Sequence, residues 1–227
     1  MFIVDCPAMV VQKYLVVADL HIGITKELYE RGVSLPSQIK SMANKINMLK
    51  KETKASGLII LGDIKHKVPG TNWQELREVP EFLSLLKFRR IIIVKGNHDG
   101  NIENMLKLKN VFVRKYFSVG DYYFTHGHRN ASTKKGNIVI GHNHPHIMFR
   151  DELGAIYTEP VWLIGNIKIK GVSHKLIIMP AFNELCGASI VNKDNLLGPL
   201  AKRIKNVHVF LLDGTDIGLL NDLKLKE

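Results

Sequence analysis

The chain has 227 residues and sets 32 Lys and Arg against 21 Asp and Glu, a formal net charge of +11 at pH 7. Its 45% hydrophobic and 23% charged content is that of a folded chain, which excludes wholesale disorder, and its length suits one large domain. No stretch reaches the roughly 20 apolar residues of a membrane helix, and two cysteines, Cys6 and Cys186, exclude a disulfide framework.

The first twenty residues are apolar but carry Asp5, Lys13 and Asp19 and lack a basic leader. They read as opening strands rather than a signal peptide. Two cysteines that fit a reducing compartment, read as buried small hydrophobes, complete the expectation of a cytoplasmic protein without membrane attachment. Short Val, Ile and Leu runs then predict strands at Tyr14–Ala18, Leu58–Leu61, Ile91–Val94, Tyr122–Thr125, Ile138–Ile140, Leu176–Met179 and Val207–Leu212, with weaker runs at Val111–Val113 and Ile156–Ile164. Their nearly continuous apolar character suits strands buried on both faces.

Between the first two strands, Ile39, Met42, Ile46 and Leu49 recur at helical spacing, with Pro36 expected in the first turn. A second helix is expected from Asn72 as N-cap, with Glu75 as its capping partner and Pro80 as a break. Ala131–Gly136 reads as a mobile loop and Leu197–Pro199 as a turn. Neither resembles a linker, so a single domain over residues 1–227 is expected. Strand and helix alternate in the first half and strands dominate the second, which predicts a layered α/β fold with mixed strand directions.

The chemistry gathers where strands end. Tyr14–Ala18 runs into Asp19-Leu20-His21, and Leu58–Leu61 into Gly62-Asp63. Ile91–Val94 leads to Gly96-Asn97-His98-Asp99, Tyr122–Thr125 to His126-Gly127-His128, and Ile138–Ile140 to Gly141-His142-Asn143-His144. Each motif alone passes for a turn. Five strands delivering metal-capable side chains at their C-terminal ends point to one site at the edge where layered α/β folds bind ligands. A mixed carboxylate, imidazole and amide set suits Mn, Fe, Zn, Ni or Co better than Mg alone. So many donors exceed one tetrahedral ion and suit two ions sharing a carboxylate.

In combination, Asp19-x-His21, Gly62-Asp63, Gly96-Asn97-His98-Asp99, His126 and Gly141-His142-x-His144 resemble the calcineurin-like metallophosphoesterase superfamily motif for motif. Ala18-Asp19-Leu20-His21-Ile22-Gly23, Arg31-Gly32-Val33 and Leu35-Pro36 resemble archaeal SbcD-related and DNA-ligase-associated phosphoesterases. That likeness extends toward Met179-Pro180-Ala181-Phe182-Asn183. The resemblance implies an α-β-β-α sandwich of two mixed sheets. It implies Asp19, His21 and His144 on a first metal, Asp63 bridging, and Asn97, His126 and His142 on a second. It places His98 over the phosphate as a catalytic proton donor and Asp99 as the residue that orients it. His128 lies outside that set as an additional contact or an exposed residue, and His66 and His146 carry weaker cases.

The reaction expected from such a set is phosphoester hydrolysis by a metal-activated hydroxide, with His98 protonating the leaving oxygen and no phospho-enzyme. Nucleic acid, DNA or RNA, is the favoured substrate and partner. Its support is the positive charge, the basic residues Lys65, Lys67, Lys95, Arg129, Lys134, Lys135 and Arg150, and aromatics at Tyr29, Trp73, Tyr116, Phe117, Tyr122 and Tyr123. Most of these aromatics are expected to be core or partly buried. An extended grip would need a homodimer or a repair-protein partner. The alternatives are a small-molecule phosphodiesterase or phosphomonoesterase, and a metal-binding scaffold without catalysis. Asn183–Asn195 is expected to be a surface connection rather than a substrate loop.

Overall fold

Ala8–Val11 (β1) and Tyr14–Ala18 (β2) pair antiparallel in the computed structural model, which describes residues 1–225. From β2 the sheet continues in parallel through Gly57–Leu61 (β3), Arg90–Val94 (β4) and Val111–Arg114 (β5). Parallel neighbours need crossover connections, and here these are helices on one face. Ile24–Glu30 (α1) and Ile39–Thr53 (α2) link β2 to β3, and Trp73–Leu85 (α3) links β3 to β4. Leu15, Val17, Leu58, Ile60, Ile91 and Ile93 turn toward the helices, where Ile46, Leu49, Val79 and Phe82 meet them. Val16, Ala18, Ile59, Leu61, Ile92 and Val94 turn the other way. The strands are therefore buried on both faces, as their unbroken apolar runs require.

Two helix expectations are corrected. Pro36 precedes α2, which begins at Ile39 after the N-cap Gln38; the Gln38 amide folds back to donate to the Pro36 carbonyl, 2.8 Å away. Pro80 does not break α3. The carbonyl that Pro80 cannot bond is that of Leu76, on the exposed face, while Val79, Phe82 and Leu83 anchor the opposite face in the core. At the start of α3 the Asn72–Glu75 capping box forms as expected.

The second sheet has nine strands and is also mixed. Phe117–Val119 (β6) and Tyr122–Phe124 (β7) form a hairpin, and β7 runs parallel to Asn137–Ile140 (β8). Pro145–Arg150 (β9), the long Ile156–Ile169 (β10) and Val172–Ile178 (β11) follow, with β11 parallel to β8. Ser189–Ile190 (β12) adds to β9, and the hairpin Lys205–Leu211 (β13) and Asp216–Leu219 (β14) adds to β10. Phe124, Val139, Trp162, Ile177 and Met179 close the sandwich against the first sheet. On the outer face, Ile138, Ile140, Leu163, Leu176 and Val209 pack under Val191, Leu200, Ala201 and Leu220. The helical cover there is one turn, Gly198–Ala201 (α4), which begins where Leu197–Pro199 reads as a turn. Among the described residues no helix is long and apolar enough to cross a membrane.

Candidate metal centre

β2, β3 and β4 of one sheet and β7 and β8 of the other end at a common seam, and the polar motifs follow directly. Asp19, His21, Asp63, His142 and His144 all have positive φ, between 41° and 70°. Such left-handed backbone is costly for residues with a Cβ and concentrates at functional sites. Here it turns the chain back at the strand ends so that successive donors converge.

Each carboxylate spends one oxygen on the backbone and turns the other inward. Asp19 Oδ2 accepts from the His142 N–H (3.0 Å), while its buried Oδ1 has no hydrogen-bond partner and lies 3.6 Å from His126 Nδ1 and 3.7 Å from His144 Nε2. Asp63 Oδ1 accepts from the His98 N–H (2.9 Å). Asp63 Oδ2 lies 3.1 Å from His126 Nε2 and 3.9 Å from both His21 Nε2 and His98 Nε2. The imidazoles repeat this division. His144 Nδ1 donates to the Gly187 carbonyl (3.1 Å), and His21 Nδ1 lies 3.3 Å from His66 Nδ1, so both present Nε2 inward, 3.2 Å apart. His126 Nε2 is 3.1 Å from Asn97 Oδ1. Asp19, His21 and Asp63 form one group of convergent donors, and Asp63, His126 and His142 form another, with Asp63 common to both. A buried carboxylate oxygen without a donor, facing imidazole nitrogens held by their other edges, fits a bound divalent cation.

Electrostatics agree. Burial works against the charged form of Asp63, but the His126 hydrogen bond and the charges of His126, His98 and His21 hold its carboxyl well below the usual range. Burial likewise opposes Asp19, yet His144 and His126 bring it below its ordinary value. His126, though buried, is pushed up to about 9 by Asp63 and then Asp19. Burial lowers His21 to about 3 and His142 to about 4.

His98 lines the central cavity with Asn97, His142 and His144. Its Nδ1 donates to the carbonyl of His66, which leaves Nε2 toward the cavity. Asp99 makes no hydrogen bond or ion pair with the His98 ring. Its Oδ1 accepts from the N–H groups of Ile64 (2.9 Å) and Lys65 (3.3 Å), and its Oδ2 from Gly96 (2.8 Å), so it ties the β3 and β4 loops together. Burial, then the Asp63 charge, raises its carboxyl to about 6. The anchor of the His98 ring is instead the His66 carbonyl.

Other sequence expectations change with position. Lys65 is only 1% exposed, its ammonium donating to the carbonyls of Lys67 and Gly70 (2.6 Å each), so it leaves the basic rim. Tyr29, Trp73 and Tyr116 are exposed rather than core. His66 bridges His21 and Glu27, whose Oε2 lies 2.7 Å from His66 Nε2. His128 is half-buried with its Nδ1 unpartnered, and burial, then His126, lowers it to about 4. His146 belongs to none of the groups of convergent donors among the described residues. Asn183–Asn195 is not merely a surface connection: Gly187, Ala188, Ser189, Asp194 and Asn195 line the cavity. Within that segment Cys186 stands with His21 and His144 in a further group of convergent donors, its thiol 3.6 Å from the Asp19 carbonyl. Long-range hydrogen bonds hold it there, among them Asn183 Nδ2 to the Leu20 carbonyl (2.7 Å) and the Ser189 N–H to the His144 carbonyl (3.0 Å).

The calcineurin-like phosphoesterase family model matches residues 12–184, and the chain belongs to that family, whose members are metal-dependent phosphoester hydrolases. No curated protein matches the sequence. Among solved structures, the Pseudomonas putida nuclease MPE is similar at 20% identity and a TM-score of 0.53, over 88% of this chain and 85% of that one. The Escherichia coli phosphoesterase Yfce is similar at 14% identity and a TM-score of 0.41, over 91% and 97%. The likeness to nuclease MPE concerns the fold.

Proposed function

We propose that this calcineurin-like phosphoesterase hydrolyses phosphodiester bonds of nucleic acid, as a nuclease or end-processing enzyme, at a centre built for two divalent ions. The observation that carries the reading is Asp63, which belongs to both donor groups and also accepts the backbone N–H of His98. Asp19, His21 and His144 would hold one ion with Asp63, and Asn97, His126 and His142 the other. Mn is the metal proposed for these mixed oxygen and nitrogen donors, with Fe, Zn, Ni and Co as alternatives. When bound, such ions supply Lewis acidity toward phosphate oxygens and lower the pKa of water toward about 7.

The chain's own residues set the rest. Asn97 is a neutral donor beside an anionic substrate. Because His98 bonds the Asp63 carboxylate through its backbone and the His66 carbonyl through its ring, its Nε2 stands at a fixed place in the cavity. A protonated Nε2 there can donate to the departing alkoxide, and general-acid help is typically worth ~10²–10⁴-fold. The net charge of +11 draws a polyanion to the surface.

The test is hydrolysis of bis(p-nitrophenyl) phosphate beside p-nitrophenyl phosphate, with Mn²⁺ and with chelator, followed by DNA and RNA at rising salt. Chelator-sensitive preference for the diester, with oligonucleotide affinity falling steeply in salt, supports the reading. Preference for the monoester, or an affinity flat in salt, replaces it with a small-molecule esterase. Two bound metals without turnover on any substrate would make the chain a scaffold.

A further inference from the structure

Beside the metal centre, a second cleft is walled by Lys95, Lys115, Tyr116, Tyr123, His128 and Arg129. We infer that it seats the unpaired nucleoside next to the scissile phosphate, with Tyr116 as the stacking platform and Arg129 and Lys115 on the sugar-phosphate backbone. The inference rests on the nucleic-acid reading above and adds where the strand lies.

The position comes first. Gly96 in this cleft immediately precedes Asn97 and His98, which line the central cavity. His128 packs against His126 at a ring separation of 5.3 Å and against His142 at 6.2 Å. The cleft therefore opens beside the Asp63, His126 and His142 group, and a strand with its phosphate at that group runs directly into it.

The chemistry of the walls comes second. Tyr116 stacks on Tyr123 with centroids 5.2 Å apart and planes 23° apart. Tyr123 is buried and fixes the pair, whereas Tyr116 is 57% exposed. A rigid aromatic presented this way costs little entropy on binding and accepts any base, since every base has a π-face. No carboxylate lines the cleft among the described residues. Lys95 is already paired with Glu103, at 2.9 and 3.0 Å, while Lys115 and Arg129 take part in no ion pair among the described residues. The cleft on the His66 side also holds an exposed aromatic, Trp73, but Glu27 and Glu30 line it and oppose a phosphate. In the Tyr116 cleft an exposed stacking face and unpaired positive charge stand together beside the metal centre with no carboxylate on the walls, which makes it sequence-tolerant and suited to a single strand or a frayed end.

The experiment compares wild type, Tyr116→Ala, Tyr116→Phe and Arg129→Ala, each loaded with Mn²⁺ and checked for equal metal content and Tm. Steady-state cleavage of a single-stranded 12-nucleotide DNA is measured across salt. The expectation for Tyr116→Ala is a KM raised about 5- to 100-fold with kcat little changed, as loss of one base stack implies. Tyr116→Phe, which keeps the ring, should match wild type. Arg129→Ala should reduce the salt slope of binding by about one. If wild type cleaves the oligonucleotide and Tyr116→Ala does so with unchanged KM, the subsite is wrong and the nucleic-acid reading stands. If wild type hydrolyses bis(p-nitrophenyl) phosphate but neither binds nor cuts the oligonucleotide, the nucleic-acid reading falls and the subsite falls with it.

Discussion

Gly96 crosses Asp63 so closely that a Cβ on it would lie 1.9 Å from Asp63 Oδ1 and 2.5 Å from the Asp63 backbone nitrogen. Real Cβ atoms do not tolerate such contacts, so a methyl group at position 96 must displace the carboxylate shared by the two donor groups. Gly96→Ala is expected to lose metal and turnover although no donor is removed, with a stability cost of about 1–3 kcal/mol. Metal content and urea unfolding check this. Gly100→Ala, where an added Cβ meets nothing within 4 Å, is the control and should behave as wild type. A Gly96→Ala protein that retains its metals would show that Asp63 is not confined as described.

His98→Ala separates catalysis from assembly. The ring is anchored by the His66 carbonyl and contributes to neither the group of Asp19, His21 and Asp63 nor that of Asp63, His126 and His142. Turnover should fall by ~10²–10⁴-fold with metal stoichiometry unchanged. Isothermal titration with Mn²⁺ beside kcat measures both. Loss of metal along with activity would move His98 into the ligand set.

Metal affinity should rise with pH. In the metal-free chain His126 is held up to about 9, so it carries a proton throughout the neutral range. A metal needs the neutral imidazole and must expel that proton. Affinity then falls as pH drops below about 9, by up to tenfold per unit for each proton expelled. Calorimetry in two buffers of different ionisation enthalpy at pH 7 should report release of at least one proton per molecule loaded. Binding with no proton release would contradict the His126–Asp63 pairing.

Glu75 is a buried hub. Its Oε1 accepts from the backbone N–H groups of His66 (3.0 Å) and Lys67, and its Oε2 from Asn72 (2.9 Å). Removing it strands three donors and loosens the segment whose carbonyl positions His98. Glu75→Ala is expected to cost about 2–4 kcal/mol, because hydrogen bonds to a charged acceptor are worth more than neutral ones. It should also lower kcat while metal content holds. Urea melts and kinetics at saturating Mn²⁺ test both halves, and a stable variant with lowered kcat alone would confine Glu75 to positioning.

Much of the donor set was legible because parallel strands hand their next residues to one edge, so Asp19, Asp63 and Asn97 announce themselves directly after apolar runs. What was not legible depends on contacts between distant segments. Asp99 follows His98 in sequence and invites pairing with it, yet the backbone sends its carboxylate to Ile64 and Lys65 instead. Lys65 reads as surface from its charge; two carbonyls of its own loop take it inside. The position of His66 against His21 depends on Glu27, 39 residues earlier. Among the elements, β9 is hidden by its start at Pro145 and β6, β12 and β14 by their shortness, whereas β1 falls within the stretch that reads as opening strands. Pro80 was misread because a local rule gave way to the packing of Phe82 and Leu83 in the core.

The seam between the sheets has a consequence for how the molecule comes into being. Asp19, His21, Asp63 and Asn97 follow strands of the first sheet, whereas His126, His142 and His144 follow strands of the second. A chain emerging from the ribosome therefore displays both carboxylates well before it owns three of its four inward imidazoles. The same nascent half leaves Val16, Ile59 and Ile92 without the Phe124, Val139 and Ile177 that will cover them. The group of Asp63, His126 and His142 and the closure of the sandwich wait for the same stretch of chain, so completion of that group marks the meeting of the two halves.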